Sequence, residues 1–182
     1  ERDRRAKYGK QDDPSYEATP GGVRKRGAKP TLHAMPTAGL LPNKAWKVVR
    51  ASSENTANKR LAGQAIDGDP ATHWHTKFSG GVAPPPHELV VDLGAEHLVR
   101  GFVYLARQDA GWNGAVRDVE FCVGLSPDKF GKPVVKTQLA KSKEPQTVRC
   151  APTRGRYVLL RALSEHSDHE FATVAELGVL GE

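Results

Sequence analysis

The sequence predicts an all-β protein, an antiparallel β-sandwich, from three observations. Apolar stretches of about five to eight residues recur after Trp46 and are separated by turns. The 182 residues include 18 Gly and 13 Pro, which are common in the turns between short strands. A long amphipathic helix is not evident, and only residues 58–66 (NKRLAGQAI) are a candidate for a short helix.

The expected strands follow in chain order. Residues 46–52 (WKVVRAS) alternate like an edge strand, and residues 88–94 (ELVVDLG) form an apolar run closed by a turn glycine. Residues 116–125 (VRDVEFCVGL) alternate valine and phenylalanine with charged residues, which predicts one buried face. The other expected strands are 98–107, 145–150, 155–163 and 174–181.

Two regions of different composition divide the chain. Residues 1–45 are rich in charge, Pro and Gly, and their lack of apolar periodicity predicts a poorly ordered linker or the tail of an upstream domain. The alternative is that part of this segment folds back on the body through Leu40 and Leu41. Residues 46–182 are the expected domain. Because the chain begins with Glu1, we expect it to be a piece of a longer protein.

The charge distribution argues against nucleic-acid binding. Ten of the 27 Lys and Arg residues, but only five of the 21 Asp and Glu residues, lie in 1–45, so the expected domain has a net charge of about +1. No apolar run has the roughly 18 residues of a membrane helix. Cys122 and Cys150 lie in strand-like stretches, and both a disulfide and two buried thiols remain open.

The stretch AIDGDPATHWHT, residues 65–76, concentrates side chains that bind metals. Asp67, Asp69 and Thr72 place several oxygens around a tight turn, as calcium requires, but the loop alone offers too few ligands. Glu176 lies in an apolar strand, where a carboxylate is usually paired or bound to a metal. The simpler interpretation is that the two aspartates only form Asx turns.

Two other kinds of site were considered. His73 and His75 would share one face of a strand and could bind zinc, although no third local ligand is evident, and Trp74 between them is more simply a core residue. A cluster near 166–169 contains His166, Asp168 and His169 but no nucleophile, and no catalytic motif appears elsewhere. Catalysis by this chain is therefore not expected.

Five stretches in order resemble a known family. They are AIDGDPATHWHT, PPPHELVVDLG, VYLARQDAGWNGAVRDVEFCVGLS, RYVLLRALSE and FATVAELGVL. Together they resemble the discoidin, or coagulation factor five/eight C-type, domain. The nearest likeness is to the family thirty-two carbohydrate-binding modules of bacterial sialidases and other glycan-processing enzymes. The resemblance covers about residues 46–182 and implies an eight-stranded sandwich of jelly-roll type.

The resemblance also implies two sets of site residues. One structural Ca²⁺ would join the acidic loop to the last strand, through the carbonyls of Gln64 and Ala175 and the side chains of Asp67, Asp69, Thr72 and Glu176. A shallow sugar site would use His87, Arg107, Asn113, Phe171 and, as a second platform, Trp112. Such a site stacks an aromatic ring on the sugar and reads its hydroxyls with fixed polar groups.

The function implied is recognition of terminal galactose-like sugars on glycans, outside the cell or in the periplasm. The module would be non-catalytic, linked to an upstream catalytic domain of a secreted bacterial enzyme, and would not insert into membranes. Pro70 stands where relatives often carry a carboxylate, which weakens the galactose assignment. Alternatives are a phospholipid-binding domain, with Phe78 beside Lys77 at a loop tip, and a protein-docking domain.

Overall fold

The computed structural model describes residues 16–19, 22–25 and 32–182. Most of the segment expected to be poorly ordered lies outside these ranges. The strands are β1 (Tyr16–Thr19), β2 (Gly22–Lys25), β3 (Lys47–Ala51), β4 (Trp74–His75), β5 (His87–Leu105), β6 (Asp118–Gly124), β7 (Val135–Gln138), β8 (Gln146–Ala162), β9 (Thr173–Val174) and β10 (Glu176–Gly181). Two short 3₁₀ helices cover Thr56–Asn58 and Ala62–Ala65.

The sandwich is built by two long strands that cross from one layer to the other. The first half of β5 pairs with β3 on one side and with the second half of β8 on the other. This half of β8 also pairs with β6, and β6 pairs in turn with β7. The second half of β5 pairs with β10 and with the first half of β8. The register shifts between Asp92 and His97 and again between Val99 and Gly101, which bends the strands there. All of these pairings are antiparallel, which confirms the predicted fold class.

The two layers enclose one main core. Phe102 of β5 stacks on Phe121 of β6 with ring centroids 4.3 Å apart, and both side chains are fully buried. Aromatic pairs at this separation stabilise a core beyond the area that they bury. Trp74 is also fully buried and donates its indole N–H to the carbonyl of Ser53 at 2.9 Å, so this residue of the acidic stretch belongs to the core.

Several elements differ from the sequence prediction. The expected strands 88–94 and 98–107 are one continuous β5, and 145–150 and 155–163 are one β8. Gly101 allows the crossing, because a Cβ there would lie 2.5 Å from the carbonyl oxygen of Val148. The candidate short helix in 58–66 is a 3₁₀ helix at Ala62–Ala65, and β7 was not anticipated because its sequence is largely polar. No helix in the described ranges has the length and apolar character needed to cross a bilayer.

The end of the leader lies against the body. The backbone N–H of Leu41 donates to the carbonyl of Val179 at 2.9 Å, Leu40 forms a bridge with Leu180, and Leu41 is buried. The described residues before Trp46 therefore follow the alternative in which Leu40 and Leu41 anchor this segment. The segment adds backbone hydrogen bonds to the outer edge of β10.

Replacing Leu41 with alanine is expected to lower the free energy of unfolding by about 2 kcal/mol, because the change leaves a cavity under the leader segment. The same change at Leu32, which is 38% exposed, should cost less than about 0.5 kcal/mol. Urea unfolding of the two variants and the parent measures the difference. Equal stabilities of the two variants would show that Leu41 does not anchor the segment.

The two cysteines are free thiols and lie apart. Cys122 is buried in a small cluster with Val90 and Leu159, separate from the main core. Cys150 is half-buried and packs against the main core. Because the two thiols belong to different clusters, the disulfide left open by the sequence does not form in this structure.

Candidate functional site

Two short strands bring distant loops together at one end of the sandwich. β4 pairs with β9, so His75 lies opposite Thr173. Next to this pair, the Thr76 hydroxyl accepts the N–H of Ala172 at 2.9 Å, and the Thr76 N–H donates to the Ala172 carbonyl at 3.0 Å. These bonds hold Phe171 beside the acidic stretch of the sequence, although nearly a hundred residues separate them.

Aromatic rings gather at this end. The Phe171 centroid lies 5.3 Å from that of His75, 6.1 Å from that of Phe78 and 5.7 Å from that of His169. The His75 and Phe78 centroids are 4.6 Å apart. Phe171 is half-buried and Phe78 is 38% exposed, so part of this aromatic group faces solvent. Such a surface can cover the apolar face of a pyranose.

Arg107 lies two residues beyond the end of β5, and its guanidinium is fixed on two sides. Its Nε and Nη2 donate to the two carboxylate oxygens of Asp109 at 2.6 and 2.5 Å. Its Nη1 donates to the backbone and side-chain carbonyls of Asn113 at 3.0 and 2.9 Å. A guanidinium has five N–H donors. Since four are used by described residues, one N–H on Nη2 is left to donate to a ligand.

The Asn113 amide is oriented by the same contact. Because its Oδ1 accepts from Arg107, its Nδ2 carries two further donors, and the Asn-Gly turn that follows fixes the direction of the side chain. Gly114 has φ of 81°, a region that favours glycine. Arg107 and Asn113, both predicted as sugar residues, thus form one rigid pair of donors.

The electrostatics of the pair are balanced by Asp109. Burial alone would raise the pKa of this carboxyl, but the hydrogen bonds and charge of Arg107 outweigh burial and leave the pKa below its usual value. Asp109 therefore remains ionised and neutralises the guanidinium. The pair presents oriented N–H donors without an uncompensated charge.

His75 supplies an acceptor that the sequence analysis did not assign. Its Nδ1 lies 2.7 Å from the Thr76 carbonyl and must carry the proton, because a carbonyl only accepts. Burial lowers the pKa of His75 to about 4. The bond to Thr76 acts in the opposite direction, and the positive charge of Arg107 lowers the pKa further. The ring is neutral at pH 7, so its Nε2 is an acceptor.

The free energy of unfolding is expected to fall as the pH drops from about 6.5 to 4. Over this range His75 becomes protonated in the unfolded chain but not in the folded chain. Acid therefore lowers the free energy of unfolding by about 1–2 kcal/mol. His73, whose pKa burial lowers to about 3, adds to the effect. Urea unfolding at several pH values should show a weaker acid dependence in His75→Gln, whereas His97→Gln, in the bend of β5, should keep the parent's dependence. An unchanged profile in His75→Gln would contradict this assignment.

His87, which was predicted to contact the sugar, is buried in this structure. Its Nε2 lies 2.8 Å from the carbonyl of Glu170, and its Nδ1 is buried without a hydrogen-bond partner among the described residues. The loop of residues 165–171 folds over it, and burial lowers its pKa. His87 is therefore expected to support Phe171 from below instead of touching a ligand.

Trp112, which was predicted as a second platform, is contacted by two lysines. The Lys143 Nζ lies 3.9 Å from its ring centroid and the Lys141 Nζ lies 5.6 Å from it. The ring is half-buried against the main core. Since the lysines and the core already contact this ring, a sugar stacked on it would have to displace them.

A buried carboxylate supports the site, although no sequence pattern pointed to it. Glu165 is 2% exposed, and its two oxygens accept from the backbone N–H groups of Gly114 and His169. It thereby joins the turn after Asn113 to the loop before Phe171. Its role could be found only from the tertiary contacts.

The acidic loop forms the turn that its sequence indicates. The Asp67 carboxylate accepts from the N–H of Asp69 at 2.9 Å and from the Thr72 hydroxyl at 2.8 Å. The Asp69 carboxylate accepts from the N–H of Ala71 at 2.9 Å. The Asx turns of the simpler interpretation are present, and Asp67 and Asp69 are exposed residues.

Glu176, the first residue of β10, meets this loop. Its side chain is 3% exposed, and its Oε1 is buried without a hydrogen-bond partner among the described residues. Burial, together with the neighbouring Asp67 carboxyl, raises its pKa to about 8. A buried carboxylate oxygen facing a second carboxylate is costly without a cation or a proton.

The donors here fit a hard cation only if backbone oxygens take part. Nowhere in the described chain do three His, Cys, Asp or Glu side chains converge to hold a metal by themselves. This also leaves the zinc interpretation of His73 and His75, whose centroids are 6.4 Å apart, without further ligands. A mixture of carboxylates, a hydroxyl and carbonyls is the donor set that calcium prefers.

The comparison with known families is decisive for the fold family. The F5/8 type C domain matches residues 48–177. The chain belongs to this family. The resemblance seen in the five sequence stretches is thereby confirmed, and the F5/8 type C domain accounts for nearly all of the predicted domain 46–182.

Relatives of this F5/8 type C domain occur in larger proteins. A sialidase of Micromonospora viridifaciens is 37% identical over 148 residues, which are 80% of this chain and 23% of the sialidase. A galactose oxidase of Gibberella zeae is 29% identical over 147 residues, which are 79% of this chain and 21% of that enzyme. The chain therefore spans less than a quarter of either enzyme.

Similar solved structures are carbohydrate-binding modules. One from Clostridium perfringens, in complex with GalNAc-β-1,3-galactose, is 30% identical with a TM-score of 0.71, over 78% of this chain and 99% of that one. The family 32 module of NanJ from the same organism, in complex with galactose, is 26% identical with a TM-score of 0.67, over 78% of this chain and 97% of that one. The β-sandwich fold is shared with both.

Proposed function

We propose that this F5/8 type C domain is a non-catalytic module that binds terminal galactose-like sugars and directs an attached enzyme to glycans outside the cell or in the periplasm. The observation that carries the proposal is the group formed by Arg107, Asn113, His75 and Phe171. It combines oriented donors, one acceptor and an aromatic surface within a single rim.

The chemistry of this rim suits a sugar. The free N–H of Arg107 and the amide of Asn113 donate to hydroxyl oxygens, and the neutral His75 Nε2 accepts a hydroxyl proton. Phe171 covers the apolar C–H face of the ring. Two neighbouring sugar hydroxyls, which both accept and donate hydrogen bonds, can satisfy the Arg107 and Asn113 donors and the His75 acceptor together. The galactose complexes of two similar modules support the choice of sugar class.

Calcium is the cation that we propose for the acidic loop. Asp67, Asp69, Thr72 and Glu176 would bind it with the carbonyls of Gln64 and Ala175. When bound, the ion supplies positive charge that offsets the crowded carboxylates and joins the loop to β10. Because Glu176 lies directly after the segment that positions Phe171, the same joint holds the sugar rim.

Titration of the full chain with galactose, lactose and N-acetylgalactosamine, followed by NMR or calorimetry, tests the proposal, with mannose, which differs from galactose in configuration at C2 and C4, as the control. We expect saturable binding with Kd between about 10 μM and 1 mM and weaker binding of mannose. No saturable binding of any galactoside would overturn the assignment.

Vesicle sedimentation separates the phospholipid alternative from the sugar proposal. The Phe78 ring packs on His75, with centroids 4.6 Å apart, instead of projecting freely as a membrane-inserting spike. We therefore expect no binding to phosphatidylserine vesicles. Binding to these vesicles without competition from galactose would favour the alternative.

A further inference from the structure

Lys143, from another loop, binds two carbonyls of the sugar-binding loop, residues 107–113. The Lys143 Nζ donates to the carbonyl of Arg107 at 2.6 Å and to that of Gly111 at 2.7 Å. The same ammonium lies 3.9 Å from the centroid of the Trp112 ring. One side chain thus ties the beginning of this loop to its far side and holds the aromatic residue next to Asn113.

The backbone of Lys143 is held by the same loop. The Gln108 Nε2 donates to the carbonyl of Lys143 at 2.9 Å and to that of Ala106 at 2.8 Å. The Gln108 Oε1 accepts the backbone N–H of His33 at 2.9 Å, from the leader. These contacts connect three segments that are remote in sequence, so the position of Lys143 relative to the loop is well determined.

The loop is tight around Arg107, so small shifts displace its donors. A Cβ at Gly111 would lie 3.2 Å from the Arg107 Cζ, and the Gly111 N–H donates to Asp109 at 3.2 Å. The carbonyl of Gly111 points instead to Lys143. Losing that bond would free the part of the loop that sets the spacing between Arg107 and Asn113.

We propose that Lys143 is a positioning residue of the sugar site, which sets the geometry of Arg107 and Asn113 through its bonds to the Arg107 and Gly111 carbonyls. This inference rests on the proposed function, since it concerns how the same site reads hydroxyls. Lys143 does not touch the ligand, because its ammonium is occupied on the far side of the loop. Its charge makes sugar affinity depend on pH.

The charged groups around Lys143 determine the direction of that dependence. Burial lowers its pKa to about 8, Asp109 opposes this, and Arg107 reinforces it. Lys141, over the same ring, and Glu144, which lies 3.1 Å from His33, are its charged neighbours in its own loop. As the pH rises through about 8, the ammonium loses its proton, and its charge-assisted bonds and its attraction to Trp112 weaken.

Lys143→Met and Lys141→Met form a matched pair, because both lysines lie over Trp112 but only Lys143 bonds the loop carbonyls. At pH 7 we expect Lys143→Met to bind lactose about tenfold more weakly and Lys141→Met to stay within about twofold of the parent. Thermal unfolding should show that Tm is nearly unchanged in both. Parent affinity should fall between pH 7 and 9.5, and Lys143→Met should lack this fall.

Hydrogen–deuterium exchange of the amides of 108–114 measures the loop without a ligand. We expect faster exchange in Lys143→Met than in the parent or Lys141→Met. Suppose that the parent binds galactosides and that Lys143→Met binds them equally well, with the same amide exchange and the same pH dependence of affinity. The positioning role is then refuted, while the proposed function stands. If the parent binds no sugar, the proposed function fails, and unchanged exchange would refute the loop closure as well.

Discussion

Replacing Arg107 with alanine is expected to lower the affinity for galactosides by at least about 100-fold, beyond the range of a calorimetric titration. The substitution removes the free Nη2 donor and also releases the Asn113 amide, whose orientation depends on the guanidinium. Two of the three polar contacts to the sugar would be lost together. Loss of hydroxyl-reading groups in a preorganised site costs far more than loss of apolar area.

The same variant should lose some stability. Asp109 would lose its ion-pair partner, which costs less than about 1 kcal/mol because its side chain is 44% exposed. Arg117→Ala is the matched control, because Arg117 also pairs with aspartates, Asp118 and Asp168, and is more exposed. The control should bind lactose like the parent. Arg107→Ala binding lactose as well as the parent would show that the sugar site lies elsewhere.

Removing calcium is expected to lower Tm by about 5–10 °C. An ion present at 100 times its Kd stabilises the folded state by about 2.7 kcal/mol, and 1 kcal/mol corresponds to about 2–4 °C for a chain of this size. Differential scanning calorimetry in calcium and in chelator measures the change. An identical Tm in both would contradict the proposed calcium site.

Glu176→Gln separates a cation site from an ordinary buried carboxyl. In chelator, this variant should unfold at or above the parent's Tm, because the amide removes a buried acid that lies beside Asp67. In calcium, the parent should be the more stable of the two, and the variant should no longer respond to the ion. Glu96→Gln, an exposed residue in the bend of β5, should keep the full calcium response.

The proposed calcium site and the proposed sugar site are expected to be coupled. Phe171 and Glu176 flank the short β9, so both depend on the same segment, residues 171–176. Melting of the acidic loop would loosen β10 at its first residue and the strand pair that carries His75. The proposed ion would therefore stabilise the proposed sugar site without touching the sugar.

Much of the site was predictable from local sequence. Arg107 and Asn113 belong to one short stretch, and the Asn-Gly turn fixes their relation. Asp67, Asp69 and Thr72 form the turn that their spacing indicates. In both cases the contacts are made within a few residues, so the local geometry follows from spacing, whereas the sugar and calcium roles of these residues were implied by the family resemblance.

Burial that depends on distant segments could not be predicted from the sequence. His87 follows three prolines and suggested an exposed loop, but residues 165–171 cover it. Trp112 was predicted as a platform for the sugar, but the Lys143 ammonium lies over its ring. His75 was considered as a zinc ligand and not as a sugar contact, because its tautomer depends on the Thr76 carbonyl and its neutrality on the surrounding burial.

The sequence by itself determined the sandwich, since alternating apolar residues leave one favourable way to bury each strand. It also determined which loops carry donors and carboxylates. Only the tertiary structure decided which of those groups face solvent, which N–H of Arg107 remains free and that Lys143 closes the loop behind it. The reason is physical: exposure and hydrogen-bond saturation are properties of the space between segments, and no single segment specifies its neighbours.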